Sequence, residues 1–192
     1  MLNDADLLRQ YATTGSEEAF TELVSRHLSL VYSAALRQVH GDTHLAEDVA
    51  QMVFIDLAHK AAGLLRHPVL SGWLYVSTRM AAANALRAQA RRQKREQAAS
   101  AMQPNISEAS SPTDWARLST ALDAAVAKLS AADRDAVLLR YFERKELKAV
   151  GATLGISEDA ARMRVKPGVA KAPLCTQRTW NRPIGNSSWN FD

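Results

Sequence analysis

Apolar residues within positions 1–97 recur every three or four positions, which places them on one side of each predicted helix. The breaks between these helices carry suitable end signals. Gly15 is suited to end the first helix, and Ser16 to cap the second. The pattern therefore predicts four helices, at Asp4–Thr13, Glu17 to about Val39, Thr43 to about Lys60, and Gly72 to near Gln97 with Ser71 as its cap.

The pattern changes after residue 97, because residues 98–113 carry no sustained apolar stripe and hold two prolines among Ser and Asn. Such a composition predicts a flexible linker. Helical spacing then returns, and Ser130 to Asp133 predicts the capped start of a helix from Asp135 to Phe142. Two shorter helices, divided at Leu154–Ile156, follow it. The helical face that precedes Ser130 consists of Trp115, Leu118, Leu122, Val126 and Leu129.

These patterns predict an all-α fold with two small helical domains joined by a flexible linker. The predicted boundaries are 1–97 for the first domain, 98–113 for the linker, 114–166 for the second domain and 167–192 for an atypical tail. Composition supports helix, because only 8 Gly and 6 Pro occur among 192 residues and alanine is abundant.

Several kinds of protein are not expected. No window approaches eighteen consecutive apolar residues, and the N-terminus is acidic, so we expect a cytoplasmic chain without a membrane partner. The single cysteine, Cys175, excludes an internal disulfide and a multi-cysteine metal site. His40 and His44 have the spacing of a helical metal site, but Gly41 interrupts that helix. We expect no metal, no cofactor, no small-molecule substrate and no enzyme, and we assign no catalytic residue.

Charge is distributed unevenly along this basic chain. Residues 1–86 hold nine acidic residues against six Lys or Arg, although the whole chain carries a net charge of +4. A basic run then follows without an acid, and it is dense enough to engage a polyanion such as nucleic acid. The alternative is a solvated helix end. The run consists of Arg87, Arg91, Arg92, Lys94 and Arg95.

The helix that ends in this run also carries Trp73, Arg79 and Asn84. Cations could follow phosphates while an aromatic residue supports an unstacked base. For Trp73 taken alone, burial in the core is the stronger expectation.

The sequence KELKAVGATLGISEDAARMRV predicts a helix-turn-helix. Gly155 can adopt a positive φ at the end of one helix, and Ser157 caps the next, with Glu158 in its first turn. Arg162 and Arg164 are predicted to project outward, as a reader of the DNA major groove requires. The alternative is an ordinary helical hairpin with solvated arginines.

The third helix has more apolar surface than one core face needs. Its sequence, AEDVAQMVFIDLAHK, mixes acidic residues with Val, Met, Phe, Ile and Leu. It is therefore either a docking face for a protein partner or a plain core helix.

Taken in order, these segments resemble bacterial sigma factors of the extracytoplasmic-function type over about Asp4 to Val165. LAEDVAQMVF resembles the part of region 2 that docks on the clamp helices of RNA polymerase. GWLYVSTRMAAANALRAQARR resembles the part that opens and reads the minus-ten promoter element. The stretch from LSAADRD to AARMR resembles region 4, which reads the minus-thirty-five element. The resemblance implies a transcription initiation factor whose partners are core RNA polymerase, promoter DNA and an anti-sigma factor.

The resemblance also implies site residues. Met52 stands where the family usually has Glu, Met80 where Asn is common, and Asn84 where Asp is common. The implied polymerase contacts are Asp48, Gln51 and Phe54. The implied minus-ten contacts are Trp73, Arg79, Met80, Asn84, Arg87, Arg91, Arg92 and Arg95. The implied minus-thirty-five contacts are Ser157, Glu158, Arg162 and Arg164.

The tail departs from the family pattern. Pro167 and Gly168 predict that the reading helix stops after about two turns, which puts minus-thirty-five recognition in doubt. Residues 167–192 are interpreted as a tail that is disordered or that a frameshift introduced. Two other functions stay open, a defective sigma-like protein that binds polymerase or an anti-sigma factor, and a free-standing helix-turn-helix regulator.

Overall fold

The structure is a computed structural model that describes residues 2–67, 69–99 and 125–171. Every regular element in these residues is a helix, which confirms the all-α prediction. The chain divides into two compact units, Met1–Asp123 and Ala124–Asp192. Most of the predicted linker and residues 172–192 of the predicted tail lie outside the described residues.

The first unit contains four described helices. They are α1 (Asp4–Thr14), α2 (Glu17–Gln38), α3 (Thr43–Leu64) and α4 (Leu70–Ala99). Side-chain oxygens cap the first three, because Asn3, Ser16 and Asp42 accept hydrogen bonds from backbone amides three residues ahead. Gly15, at a φ of 68°, ends α1 as predicted.

The core of this unit lies where α2, α3 and α4 pack on one another. Its fully buried side chains include Leu23, Leu57, Leu74 and Tyr75. Small residues allow the three helices to approach closely at one end of the bundle. That cluster consists of Ala35, Val39, Ala46, Val49 and Ala82.

Helix α1 is attached to α2 by a partly buried polar contact. His27, which lies within the apolar stripe of α2, is buried and pairs with Asp4 at 2.7 Å between Nε2 and Oδ2. Arg26 donates to the other oxygen of Asp4 at 3.2 Å and to the backbone carbonyl of Leu2 at 2.8 Å. Arg26 and His27 of α2 therefore hold the start of α1 in place.

Two of the predicted helix boundaries in the first unit were wrong. Helix α3 runs on to Leu64, because Ala61 and Leu64 continue its buried face. Helix α4 begins at Leu70, so Ser71 lies inside its first turn and does not cap it. Val69 and Leu70 are buried, and their packing supports the earlier start.

The far end of α4 extends beyond the packed bundle. Every side chain from Arg87 to Gln97 is exposed. This segment is rich in Ala, Arg, Gln and Lys, all of which have high helix propensity. Helix propensity therefore supports about three turns of helix here without the burial of any side chain.

The second unit contains α5 (Ala131–Tyr141), α6 (Leu147–Leu154) and α7 (Glu158–Lys171). Residues 125–127 form the described end of a preceding helical segment. Ser130 caps α5 as predicted, accepting from the amide of Asp133, but the predicted start at Asp135 was wrong because the helix begins directly after this cap, at Ala131. Helix α7 packs on both other helices, and Ala136, Leu138, Val150 and Ala161 are fully buried between them.

The prediction that the reading helix stops after about two turns was wrong. Helix α7 continues through Pro167 and Gly168 to Lys171. Proline removes one amide, the one that would bond to the carbonyl of Met163, and it disfavours helix at Lys166. These are local costs, and a helix that is already packed can continue past them with a kink.

Candidate nucleic-acid interface

One face of α4 carries most of the side chains predicted to meet the minus-ten element. Successive residues of a helix are roughly 100° apart around its axis, and at this spacing six of the eight predicted contacts fall within a sector of about 80°. Leu74, Thr78 and Ala82 are buried on the opposite face, so this sector points away from the core. We call it the α4 stripe; it consists of Trp73, Met80, Asn84, Arg87, Arg91 and Arg95.

The α4 stripe changes in character along the helix. Trp73, near the bundle, is half-buried. It is therefore neither a fully buried core residue nor a fully exposed stacking surface. Met80 is 63% exposed, and Asn84 and Arg87 are exposed and hydrogen-bonded to each other. Arg91 follows on the protruding end. An aromatic ring, an apolar chain, an amide and cations thus succeed one another on a single face.

Two predicted contacts lie outside this stripe. Arg79 and Arg92 are roughly 100–120° from its centre, on opposite sides of the helix. Arg79 is half-buried, and its Nε has no hydrogen-bond partner in the described part of the chain. Arg92 donates to Glu96 at 2.8 Å, and this bond raises the pKa of the guanidinium. Neither side chain extends the stripe.

The protruding end of α4 offers cations that are not neutralised. Among the described residues, the side chains of Arg91 and Lys94 take part in no ion pair, whereas Arg92 is paired with Glu96. Segment 87–97 holds five cations and one acid. Its exposed, excess positive charge suits it to follow a phosphate backbone.

The predicted helix-turn-helix is present in the second unit. Gly155 has a φ of 66° and ends α6, and Ser157 accepts from the amide of Ala160 at 3.2 Å to cap α7. The turn between the helices spans three residues. Gly151 allows this tight approach, because a Cβ there would lie 2.8 Å from the carbonyl oxygen of Ile156. Gly151 was not among the residues predicted to shape this turn.

Helix α7 presents a mixture of charges. Arg162 is exposed and bonded to Glu158 at 3.2 Å, and it also approaches Asp159 at 3.6 Å. Arg164 is half-buried, so it projects outward less than predicted. Ser157 is exposed, but its hydroxyl is already engaged as the cap. The region also exposes Met163, at 65%, which the sequence analysis did not assign.

The structure separates the three predicted polymerase contacts on α3. Asp48 and Gln51 are exposed, whereas Phe54 is only 8% exposed and belongs to the core. Phe54 lies at the edge of the buried face formed with Val53 and Leu57, and its assignment as a polymerase contact stays a prediction.

Two apolar side chains of α3 lie on its outer side instead. Met52 is 44% exposed and Ile55 is 48% exposed. With Asp48 and Gln51 they form a surface that we call the α3 face. The spacing of Ala46, Val49, Val53 and Leu57 sets the phase of the helix, so it could have identified Ile55 from the sequence.

The described residues hold no candidate metal site and no candidate membrane span. No three potential metal ligands come together there. None of the helices in that part of the chain has the length and apolarity needed to cross a membrane.

Comparisons with known proteins agree with this arrangement. The chain matches Sigma-70 region 2 over residues 23–92 and Sigma-70 region 4 over residues 125–171. It is 30% identical over 159 residues to RNA polymerase sigma factor CarQ of Myxococcus xanthus, covering 82% of this chain and 88% of that one. The region 4 match extends past Pro167, in agreement with the length of α7.

Two solved structures are also similar. CnrH in complex with the cytosolic domain of CnrY matches with a TM-score of 0.42 and 22% identity, covering 88% of this chain and 93% of that one. The sigma factor RpoE in complex with the anti-sigma factor NepR, from Bartonella quintana, matches with a TM-score of 0.34 and 20% identity, covering 79% and 92%. The two family matches, together with the relative, show that the chain belongs to the sigma-70 family as an extracytoplasmic-function sigma factor, a transcription initiation factor that directs core RNA polymerase to promoters.

Proposed function

We propose that three separate helix surfaces divide the work of this sigma factor. The α3 face docks on core RNA polymerase, the α4 stripe engages the minus-ten element, and the outer side of α7 engages the minus-thirty-five element. The proposal rests on the α4 stripe. This stripe runs from a tryptophan near the core to cations on a helix end whose side chains are all exposed.

The minus-ten assignment follows from the order of groups along α4. Arg91 and Arg95 lie on the exposed end, where they can approach phosphates without desolvating a packed core. Met80, Asn84 and Trp73 come next toward the bundle. An extruded base can stack on an aromatic or apolar surface and accept hydrogen bonds from an amide. The cations therefore position the strand, and the residues nearer the bundle read it.

The polymerase assignment follows from the α3 face. Met52 and Ile55 place apolar surface in water, flanked by the carboxylate of Asp48 and the amide of Gln51. Burial of apolar surface would supply affinity, and Asp48 would favour a partner helix that carries cations. An anti-sigma factor that covered the same face would compete with polymerase and keep the chain inactive.

Replacing the three arginines of the α4 stripe, Arg87, Arg91 and Arg95, together by Ala tests the minus-ten assignment. We expect weaker promoter engagement by the reconstituted holoenzyme and a smaller decline of binding with salt, because fewer phosphates are neutralised. Run-off transcription and binding titrations between about 50 and 200 mM salt measure both effects.

The matched control replaces Gln89 and Gln93 by Ala. These exposed residues lie on the same helix, and their removal changes no charge. A variant with Lys at the three arginine positions should keep most of the salt dependence, since its net charge is retained. Unchanged transcription by the triple Ala variant at moderate salt would contradict the proposal.

The continuation of α7 to Lys171 bears on the alternative of a defective sigma-like protein. That alternative rested on the prediction that the reading helix breaks at Pro167, and α7 does not end there. Co-purification with polymerase without specific transcripts would still support it.

We further propose that the chain acts in the cytoplasm and is not an enzyme, because its role is to position polymerase on DNA and it needs no chemistry of its own.

A further inference from the structure

The outer side of α7 has an apolar centre. Ala161 and Val165 are buried, and Met163 lies between them in sequence. At roughly 100° per residue, it is about 160° round the helix from each of them. Its side chain therefore points almost directly away from the core of the second unit, and it is 65% exposed.

Polar groups flank Met163 on this outer side. Arg162 and Lys166 are exposed, and Asp159 lies one turn earlier. Arg162 is held toward the start of the helix by Glu158 and Asp159, at 3.2 and 3.6 Å. These ion pairs draw the Arg162 side chain toward the acidic start of α7 and offset part of its positive charge, which weakens its attraction to DNA. Within the described part of the chain, Met163 has no hydrogen bond or ion pair that it must release.

We infer that Met163 is a specificity residue that contacts the C5 methyl group of a thymine in the minus-thirty-five element. The inference rests on the proposed role of α7. The second helix of a helix-turn-helix lies in the major groove, where thymine is the base that presents a methyl group. Methionine is unbranched and flexible, so it can adapt to the position of that methyl group.

The test compares thymine with deoxyuridine, which lacks only the methyl group. Holoenzyme reconstituted from the full chain and core polymerase first selects promoters from duplexes with a randomised minus-thirty-five element. The selected promoter is then remade with deoxyuridine at one thymine at a time. We expect one position where the exchange lowers promoter occupancy about fourfold, as the burial of a single methyl group would give.

Variants at position 163 assign the effect to this side chain. Met163→Gln should bind thymine and deoxyuridine promoters equally, whereas Met163→Leu should keep the preference because it keeps an apolar contact. Circular dichroism and thermal unfolding establish that both variants fold. If no thymine responds in the natural chain, or if the Gln variant shows the same response, the inference is overturned.

Two other outcomes are also decisive. If the selection yields no preference in the minus-thirty-five element, the proposed role of α7 fails and this inference fails with it. If the preference is present but independent of Met163, only the inference fails. Should Met163→Gln weaken association with core polymerase while the thymine to deoxyuridine ratio stays unchanged, Met163 contacts a protein, and the inference is again overturned.

Discussion

At the scale of single residues, the absence of a Cβ at Gly151 allows α6 to approach the start of α7 closely. Gly151 lies in the middle of α6, where glycine ordinarily lowers helix stability relative to alanine. It is tolerated here because a Cβ would lie 2.8 Å from the Ile156 carbonyl and 3.2 Å from backbone atoms of Ser157. Backbone atoms cannot move aside as a side-chain end can.

Gly151→Ala should therefore destabilise the second unit by roughly 1–3 kcal/mol, the range found for overpacking. Thermal unfolding of the full chain measures the change. Gly63→Ala is the matched control, because Gly63 is also helical and an added Cβ would meet nothing within 4 Å. We expect Gly63→Ala to be neutral or slightly stabilising. An equal loss of stability in both variants would mean that the close approach at Gly151 is not the cause.

The contact between Asp4 and His27 predicts a pH dependence. Burial alone raises the pKa of the Asp4 carboxyl, but the hydrogen bond and charge of His27, together with those of Arg26, lower this pKa below its ordinary value. A carboxyl whose pKa is depressed by folding stabilises the native state above its unfolded pKa. This stabilisation is lost as the pH falls through the folded pKa, below about pH 4.

Asp4→Ala should lower the free energy of unfolding near neutral pH by roughly 1–3 kcal/mol, because it leaves the buried His27 ring without this partner. Urea unfolding at several pH values from about 3 to 7 should show that this difference shrinks in acid. Asp6→Ala is the control, since its ion pair with Arg9 is exposed and surface pairs contribute little. A difference for Asp4→Ala that did not vary with pH would refute the assignment.

At the scale of helices, α3 places a core residue next to a residue of the face that we propose docks on polymerase. Phe54 and Ile55 are neighbours in sequence, yet the first is buried and the second is about half exposed. A rotation of about 100° between successive residues separates the two roles. Stability and partner binding should therefore be separable along this helix.

Phe54→Ala should lower the free energy of unfolding by roughly 3–5 kcal/mol because it removes a large core side chain. Ile55→Ala should change stability by no more than about 0.5 kcal/mol and still weaken binding to core polymerase. Unfolding measurements and a polymerase pull-down provide the two readouts. If Ile55→Ala bound polymerase normally, the α3 face would have to be reassigned.

At the scale of the whole molecule, charge is separated along the chain. The bundle of the first unit is acidic, with nine acids against six Lys or Arg up to residue 86, and the end of α4 is strongly basic. An acidic body repels a DNA strand, whereas the basic end attracts it. Within the first unit, the charges therefore favour binding in which only the protruding end and the stripe behind it approach DNA.

Much of this organisation could be predicted because local chemistry determines it. Ser16, Ser130 and Ser157 cap helices through their own backbone neighbours, and Gly155 takes a positive φ at a helix end. Helical spacing was enough to predict the all-α class. The α4 stripe follows from the same periodicity once the helix is continuous.

The failures came where tertiary packing decides. Ser71 has the chemistry of a cap, but the burial of Val69 and Leu70 starts α4 earlier and draws Ser71 inward. The burial of Phe54 likewise depends on the phase of the core face, which the family resemblance alone did not provide. Pro167 carries a local cost that does not end α7. At Ser71 the local capping signal gave way to the packing of neighbouring residues, whereas at Pro167 the local cost was too small to end the helix.

The exposed end of α4 has a further consequence for proteolysis. Helical turns without tertiary contacts open locally at little free-energy cost, and this segment holds five Lys or Arg residues, each a cleavage site for trypsin. Trypsin should therefore cut the isolated chain between Arg87 and Arg95 and sever the two family-matched units from each other. Promoter DNA lying along the stripe in the holoenzyme should slow that cut, and the fragments can be timed by mass spectrometry. Survival of the intact chain would then report on DNA engagement without any transcript being made.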